Sequence, residues 1–370
     1  MKKVKIFSDN ILFTIFVAIG DYIAFFISDT NKNALFLFIL FVINVCRDYT
    51  VGEDYGKNYK RIYDEINIES YKLNKTETSE ITDLWSLDKK STEIGWYLLQ
   101  YFSKLNEMPF AFVNFLAAII IFISLLYALK QSPNPIFTLL LYVLLFRYYA
   151  SYNIIRQSIA AIIFLVGIPF IIKRKFVKYL FCVLIAMCFH MSSILMIVFY
   201  FLPNIKINYK FSILLIISFY IISALNIDTI IISWIYDSGY IFTSYARYLT
   251  IENDYNYNIV YLYIPSILLL IPYICLSTQG KGEILDVYQL LYVVAIILSI
   301  LSIHYEVLFR TNEYFINSLI LTIPILLRRR NLNLSGMIGC IIIGCCVLYY
   351  GVYLFLNANN IQPYSLIFFN

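Results

Sequence analysis

Residues 109–129 read PFAFVNFLAAIIIFISLLYAL, an apolar run without a charged side chain. At about 1.5 Å of rise per residue, a helix of this length crosses the roughly 30 Å hydrocarbon core of a bilayer. Similar runs recur along the whole chain, which is 61% hydrophobic and 14% charged. Its mean hydropathy of +0.75 excludes a soluble globular protein. Because each segment in lipid must satisfy its own backbone hydrogen bonds, the sequence predicts a helical membrane protein.

We predict an all-α fold, a polytopic transmembrane helical bundle with roughly 11–12 membrane segments. The bundle is expected to form one integral membrane domain over residues 1–370. The stretch 176–202 is too long for one straight crossing and short for two, so a short broken helix pair is expected near His190. The apolar segments are residues 11–28, 34–46, 109–129, 135–150, 153–172, 176–189, 191–202, 208–226, 258–276, 286–303, 311–327 and 336–357.

The basic loops set the predicted orientation, because Lys and Arg in short loops are retained on the cytoplasmic side. Residues 173–178 carry four basic side chains and residues 328–330 are three arginines, so both loops are expected inside. Counting crossings from them places two loops outside: 47–107, with amphipathic or interfacial helices, and the acidic loop 227–257. The N-terminal lysines do not fit this orientation, and the topology of the first segment stays open.

The same counting places five cationic side chains at the external ends of apolar segments. They are Arg47, Arg156, His190, Arg247 and Arg310. Ionisable residues near a membrane core are costly, so they are functional candidates. Guanidiniums gathered on one face predict an anionic ligand. A diphosphate is the expected kind, because the planar guanidinium fork binds phosphate oxygens in pairs.

Taken singly, these features also have structural interpretations. Arg47 could be a snorkelling charge in an interfacial loop, and a lone histidine such as His190 is commonly a hydrogen-bonded structural group. Two details favour function. Gly52 would allow a tight turn that returns Glu53 and Asp54 toward Arg47, and Arg156 lies near a helix N-terminus, where the helix dipole favours anions.

Metal and nucleic-acid sites are not predicted. His304 is the second of only two histidines, and none of the seven cysteines forms a CxxC pair, so neither a multi-histidine metal site nor a disulfide framework is expected. The net charge of +5 is spread over loops that membrane topology already explains. We expect no cofactor and no nucleic-acid partner.

Five motifs, in order from residue 47 to residue 315, together resemble the EpsG family of Wzy-like polysaccharide polymerases. The resemblance covers most of the chain, and the ordered set is more specific than any one string. The motifs are Arg47…Gly52-x-Asp54-Tyr55…Tyr59, Glu93-Ile94-Gly95-Trp96-Tyr97-Leu98-Leu99, Arg156-Gln157-x-x-Ala160, Phe189-His190-x-Ser192-Ser193 and Arg310-x-x-x-Tyr314-Phe315.

The resemblance implies an enzyme of the bacterial cytoplasmic (inner) membrane whose active face is external or periplasmic. It would join oligosaccharide repeat units carried on undecaprenyl diphosphate into a surface polysaccharide, such as O-antigen, capsule or exopolysaccharide. Its partners would be that lipid-linked oligosaccharide, membrane lipids and a chain-length regulator protein. The expected catalytic residues are His190, Asp54, Arg156 and Arg310, with either His190 or Asp54 as the base. The expected substrate-binding residues are Arg47, Arg247, Gln157, Tyr55 and Tyr314.

Three other functions are weighed against this one. An O-antigen-type ligase would use the same lipid diphosphate donor and differ only in its acceptor. A lipid-linked oligosaccharide flippase would line a path through the bilayer with charge, whereas Asp21 alone lies well inside a predicted segment. A membrane acyltransferase could use the histidine but would leave the arginines without a purpose.

Overall fold

The computed structural model describes residues 29–65, 93–230, 259–277, 285–329 and 332–366. Within these ranges the regular structure is helical, apart from one isolated antiparallel bridge between Arg47 and Leu366. The predicted all-α membrane bundle is confirmed. The first predicted segment lies outside the described residues, as do most of loop 227–257 and Arg247 within it.

The described ranges contain thirteen α-helices, with a π-helix (Tyr55–Lys60) and 3-10 helices at Met191–Asn204 and Ala358–Asn360. The α-helices are α1 (Asp29–Val45), α2 (Arg61–Glu65), α3 (Ile94–Leu105), α4 (Phe110–Leu129), α5 (Pro135–Leu144), α6 (Arg147–Asn153), α7 (Ile155–Ile172), α8 (Phe176–Met187), α9 (Tyr209–Ala224), α10 (Ile259–Ser277), α11 (Val287–Leu301), α12 (Glu306–Arg328) and α13 (Leu332–Phe355).

Every predicted segment from 34–46 onward coincides with a helix, except that 135–150 contains two. By length and hydropathy, three helices can cross a membrane alone: Phe110–Leu129, Ile155–Ile172 and Ser335–Phe355. Helices α5 and α6, bent by 52° at their junction, make a fourth span if they act as one. Six more apolar helices have 10–17 residues. The chain is a multi-pass membrane protein. Within the described residues, the number of helices that meet this criterion is lower than the predicted 11–12 segments.

The broken pair at His190 has unequal arms. The first arm is α8, with 12 residues, and the second is the 3-10 helix Met191–Asn204, with 14 residues. A 3-10 helix rises about 2.0 Å per residue, so this second arm is about 28 Å long. Residues 176–202 are therefore longer than they would be if the whole stretch were α-helical. His190 lies between the arms with extended backbone (φ −154°, ψ 115°).

Helix α7 lies at the centre of the bundle. Of its apolar window 72% is buried, compared with 50% for α4 and 33% for α13. It packs against α4, α8, α12 and the 3-10 helix Met191–Asn204. Because these neighbours meet around it, the first turn of α7 is where side chains from distant parts of the chain converge.

The described part of loop 47–107 is largely helical. In α3, one face buries Trp96, Gln100 and Ser103. The other face exposes a stripe of large apolar side chains: Ile94, Leu98, Phe102 and Leu105. An exposed apolar stripe is typical of a helix that lies in the membrane interface. The interfacial position of α3 remains a prediction.

Candidate active site

Three side chains from distant parts of the chain meet at the start of α7. A carboxylate oxygen of Glu93 accepts a hydrogen bond from Arg156 Nη1. The other oxygen, Oε1, lies 3.2 Å from His190 Nδ1. The side chains of Arg156, Glu93 and His190 are 26%, 15% and 17% exposed, so all three border solvent. We call this group the Glu93 cluster.

A close backbone contact holds Glu93 beside His190. The Gly95 N–H donates to the Cys188 carbonyl at 2.7 Å. A Cβ at Gly95 would lie 2.7 Å from that same oxygen, closer than side-chain carbon atoms are found. Only glycine therefore lets α3 begin against the end of α8. The Met191 N–H, 3.4 Å from Glu93 Oε1, adds a weaker contact across the same junction.

Opposing effects act on the Glu93 carboxyl group. Its burial favours the neutral form, but the contact with His190 and the Arg156 charge outweigh burial, and the pKa is lowered. Glu93 is therefore a carboxylate at neutral pH. Arg156 Nε is buried and has no hydrogen-bond partner among the described residues. The Arg156 guanidinium also lies 5.6 Å from the centre of the Tyr59 ring.

Gln157 and Tyr314 connect the Glu93 cluster to α12. Gln157 Nε2 donates to the Arg310 carbonyl, and the Tyr314 hydroxyl lies 3.0 Å from the hydroxyls of both Ser192 and Ser193. Gln157 and Tyr314 are buried, and their polar groups have internal partners. These contacts link the Arg310 backbone and the 3-10 helix to the start of α7, and the expected substrate contacts of Gln157 and Tyr314 stay a prediction. Arg310 itself is half-buried.

Arg47 is fully buried, contrary to the expected position at a ligand-binding surface. Its guanidinium donates to the Asn44 side chain at 2.7 Å and to Asn114 Oδ1 at 3.0 Å. The rings of Tyr55 and Tyr152 lie 4.0 and 4.7 Å from it. Tyr55 is also fully buried. In this structure Arg47 and Tyr55 therefore make packing contacts, and their expected role in substrate binding stays a prediction.

The C-terminal residues 358–366 cover Arg47. The Asp48 N–H donates to the Ser365 carbonyl at 2.9 Å, and the Gly52 N–H donates to the Asn360 carbonyl at 3.1 Å. The Tyr364 hydroxyl donates to the Ile43 carbonyl at 2.6 Å. The last described residues thus close over the loop that follows α1.

Asp54 does not return to Arg47. Gly52 does make a tight turn, with φ +102°, but the turn brings the chain against the Tyr152 carbonyl. The Asp54 N–H then donates to Asn153 Oδ1 at 2.6 Å, and its carboxylate accepts from Asn58. The expectation that Asp54 pairs with Arg47 is wrong, since the contacts of Arg47 are amide oxygens and aromatic rings.

Two acidic residues that matter here were not among the candidates. Glu93 belongs to one of the quoted motifs, but nothing in one sequence pairs it with a residue 63 positions away. Glu313 forms an ion pair with Arg147 in which the two side chains are only 4% and 2% exposed. An acidic residue within the apolar helix α12 was the available signal for Glu313. His304 also pairs with Asp228, at 2.8 Å.

The comparisons with known proteins add one positive result. Neither the curated proteins nor the solved structures contain a match to this chain. The model of the EpsG family, which is of the Wzy-like polymerase type, matches residues 6–366 and so spans nearly the whole chain. That range includes every member of the Glu93 cluster, together with Gln157, Arg310 and Tyr314. On this match the chain belongs to the EpsG family.

Proposed function

We propose that this protein polymerises oligosaccharide repeat units carried on undecaprenyl diphosphate, at the external face of a bacterial cytoplasmic membrane. The observation that carries the proposal is the Glu93 cluster, in which an arginine and a histidine share one carboxylate. Family membership supplies the reaction class. The cluster supplies groups with the chemistry that this reaction needs.

Arg156 and Arg310 serve the leaving group. As the glycosidic bond breaks, its electron pair moves to a diphosphate oxygen, so negative charge on the diphosphate grows. Guanidiniums fixed beside that oxygen stabilise the transition state more than the bound substrate. The Arg156 side chain is 26% exposed, so part of its guanidinium can contact the diphosphate while Nη1 remains on Glu93.

His190 serves as the base for the acceptor hydroxyl. Its Nδ1 lies 3.2 Å from Glu93 Oε1, and the negative charge there favours the tautomer with the proton on Nδ1, which leaves Nε2 to accept a proton. The same carboxylate then stabilises the imidazolium that forms. Asp54 is the weaker candidate, because its carboxylate already accepts from Asn58.

The guanidiniums supply positive charge that a divalent metal provides in many phosphate sites, so the transfer is metal-independent. Purified enzyme treated with EDTA is expected to keep full activity on lipid-linked repeat units. Loss of activity that magnesium restores would overturn this part of the proposal.

Lipid-linked intermediates from a deletion strain, sized by mass spectrometry, test the function. A polymerase deletion leaves single repeat units on the lipid at the external face. Long chains that are not transferred to a final acceptor would indicate a ligase. Repeat units retained on the cytoplasmic side would indicate a flippase. Complementation with His190→Gln should fail, while the matched His304→Gln protein should restore polymer.

A further inference from the structure

A second polar site lies at the opposite end of the bundle. The loop after α4 (residues 130–133) and the last turn of α12 border an open pocket of about 580 Å³. Its charged lining residues are Lys130, Arg328 and Arg329. We call this cavity the basic pocket. Nothing in the proposed reaction uses it.

The positive charge of the basic pocket is only partly neutralised. Arg329 pairs with Asp286, and these side chains are 50% and 37% exposed. Within the described residues neither Lys130 nor Arg328 forms an ion pair. The pocket therefore suits a phosphate group.

Gln131 points to a more specific ligand. It lines the pocket, and its Nε2 and Oε1 atoms are both buried without a hydrogen-bond partner among the described residues. Buried polar groups without partners are costly and uncommon. A ligand that offers both an acceptor and a donor would satisfy this amide. A phosphodiester whose headgroup also carries a hydroxyl offers both.

The position of the pocket indicates where that ligand comes from. Arg310 and Arg328 are eighteen residues apart on α12, so they are separated by about 27 Å along its axis. That distance is close to the roughly 30 Å hydrocarbon thickness. The basic loop 173–178 follows the end of α7 that is remote from Arg156. Basic residues mark the cytoplasmic leaflet, where basic pockets between helices bind anionic lipid headgroups.

We propose that the basic pocket binds the phosphodiester headgroup of an anionic phospholipid of the phosphatidylglycerol type in the cytoplasmic leaflet. The phosphate lies between Lys130 and Arg328, and Gln131 bonds a phosphate oxygen and a headgroup hydroxyl. This binding is separate from the Glu93 cluster and does not depend on the reaction proposed there.

Native mass spectrometry of the full-length protein in detergent tests the proposal, with phosphatidylglycerol and phosphatidylcholine as the probes. The wild type should retain phosphatidylglycerol preferentially. Removing two cations, in Lys130→Gln/Arg328→Gln, should weaken that binding by about thirtyfold, at roughly fivefold per charge. The matched Lys173→Gln/Lys178→Gln protein removes two exposed cations outside the pocket and should bind as the wild type does.

Three results would overturn the proposal. Equal retention of both lipids by the wild type excludes headgroup recognition, and this measurement needs no variant that folds. Equal losses in the two double variants would mean that general surface charge attracts the lipid. Displacement of phosphatidylglycerol by inorganic phosphate at a similar concentration would assign the pocket to a soluble anion. Weaker retention of phosphatidylglycerol by Gln131→Leu would support the role of the amide.

Discussion

Glu93 pairs with Arg156 across 63 residues of sequence, where helices α3 and α7 both begin. A carboxylate repels an anionic ligand, so we predict that Glu93 positions Arg156 and His190 and does not itself bind the diphosphate. Glu93→Gln should therefore lower kcat by about tenfold or more, part of the 10²–10⁴-fold that a positioned base contributes. The KM for the lipid-linked donor should not rise. Steady-state kinetics in detergent separate the two parameters.

Glu53→Gln is the control for that measurement, since Glu53 is an exposed carboxylate outside the Glu93 cluster and should tolerate the change. A Glu93→Gln enzyme whose KM rises while kcat is unchanged would show that Glu93 acts in donor binding, against the positioning role.

Arg156→Ala should abolish polymer while the protein still inserts into the membrane. Loss of one donor to a developing anion typically lowers the rate by about 10²–10³-fold. Arg61→Ala, which removes an exposed arginine from α2, should leave polymer length and amount unchanged. Polymer resolved by gel electrophoresis is the measurement. Normal polymer from an Arg156→Ala strain would exclude Arg156 from the reaction.

The fold was largely predictable because the signal for a membrane helix is carried by its own residues. Segment 109–129 became the helix Phe110–Leu129 almost residue for residue. The 3-10 conformation of residues 191–204 was not predictable, since an apolar run of this length suits both helix types. In the structure these residues pack against α7 and α8, contacts that the apolar run itself does not reveal.

The site was predictable only in part. Counting membrane crossings predicted that Arg156, His190 and Arg310 lie at the same end of the bundle. This count depends only on the order of the segments along the chain. The pairing of Glu93 with them depends on a backbone contact between Gly95 and Cys188, and the burial of Arg47 depends on the C-terminal residues folding back. Contacts between residues so far apart in the chain produce no periodic pattern in the sequence from which they could be predicted.

Gly95→Ala should lower polymerisation by displacing α3, and Glu93 with it, from the end of α8. The added Cβ would lie 2.7 Å from the Cys188 carbonyl oxygen. Because this is a backbone atom, it cannot relieve the clash by a change of side-chain rotamer. Gly344→Ala is the matched control, because a Cβ there meets nothing within 4 Å. Alanine in that helix interior should even stabilise it by up to about 1 kcal/mol. Polymer yield and protein abundance should be measured together, and equal yields from the two variants would contradict the prediction.

Acid should remove the stabilising effect of the Glu93 charge only below the usual range for a glutamate. The pKa of Glu93 is lowered in the folded protein, so its contribution is present above the unfolded value and lost as the pH falls through the folded value. The difference in Tm between wild type and Glu93→Gln should therefore be fully present above the usual pKa range of a glutamate and shrink only as the pH falls below that range. A difference that grows with acid would mean that the pKa is raised.

The buried pair of Arg147 and Glu313 offers a test of packing that is independent of the reaction. Arg147 Nε also donates to the Leu145 carbonyl at 2.8 Å, which fixes the guanidinium at the 52° bend between α5 and α6. Removing one member leaves the other charge buried without a partner, which typically lowers the free energy of unfolding by about 3–5 kcal/mol. Arg147→Met and Glu313→Leu should each lower Tm strongly. The double variant should recover much of the loss, since no charge is left unpaired. Thermal unfolding in detergent completes the double-mutant cycle, and strictly additive losses would mean that the two residues stabilise the bundle separately.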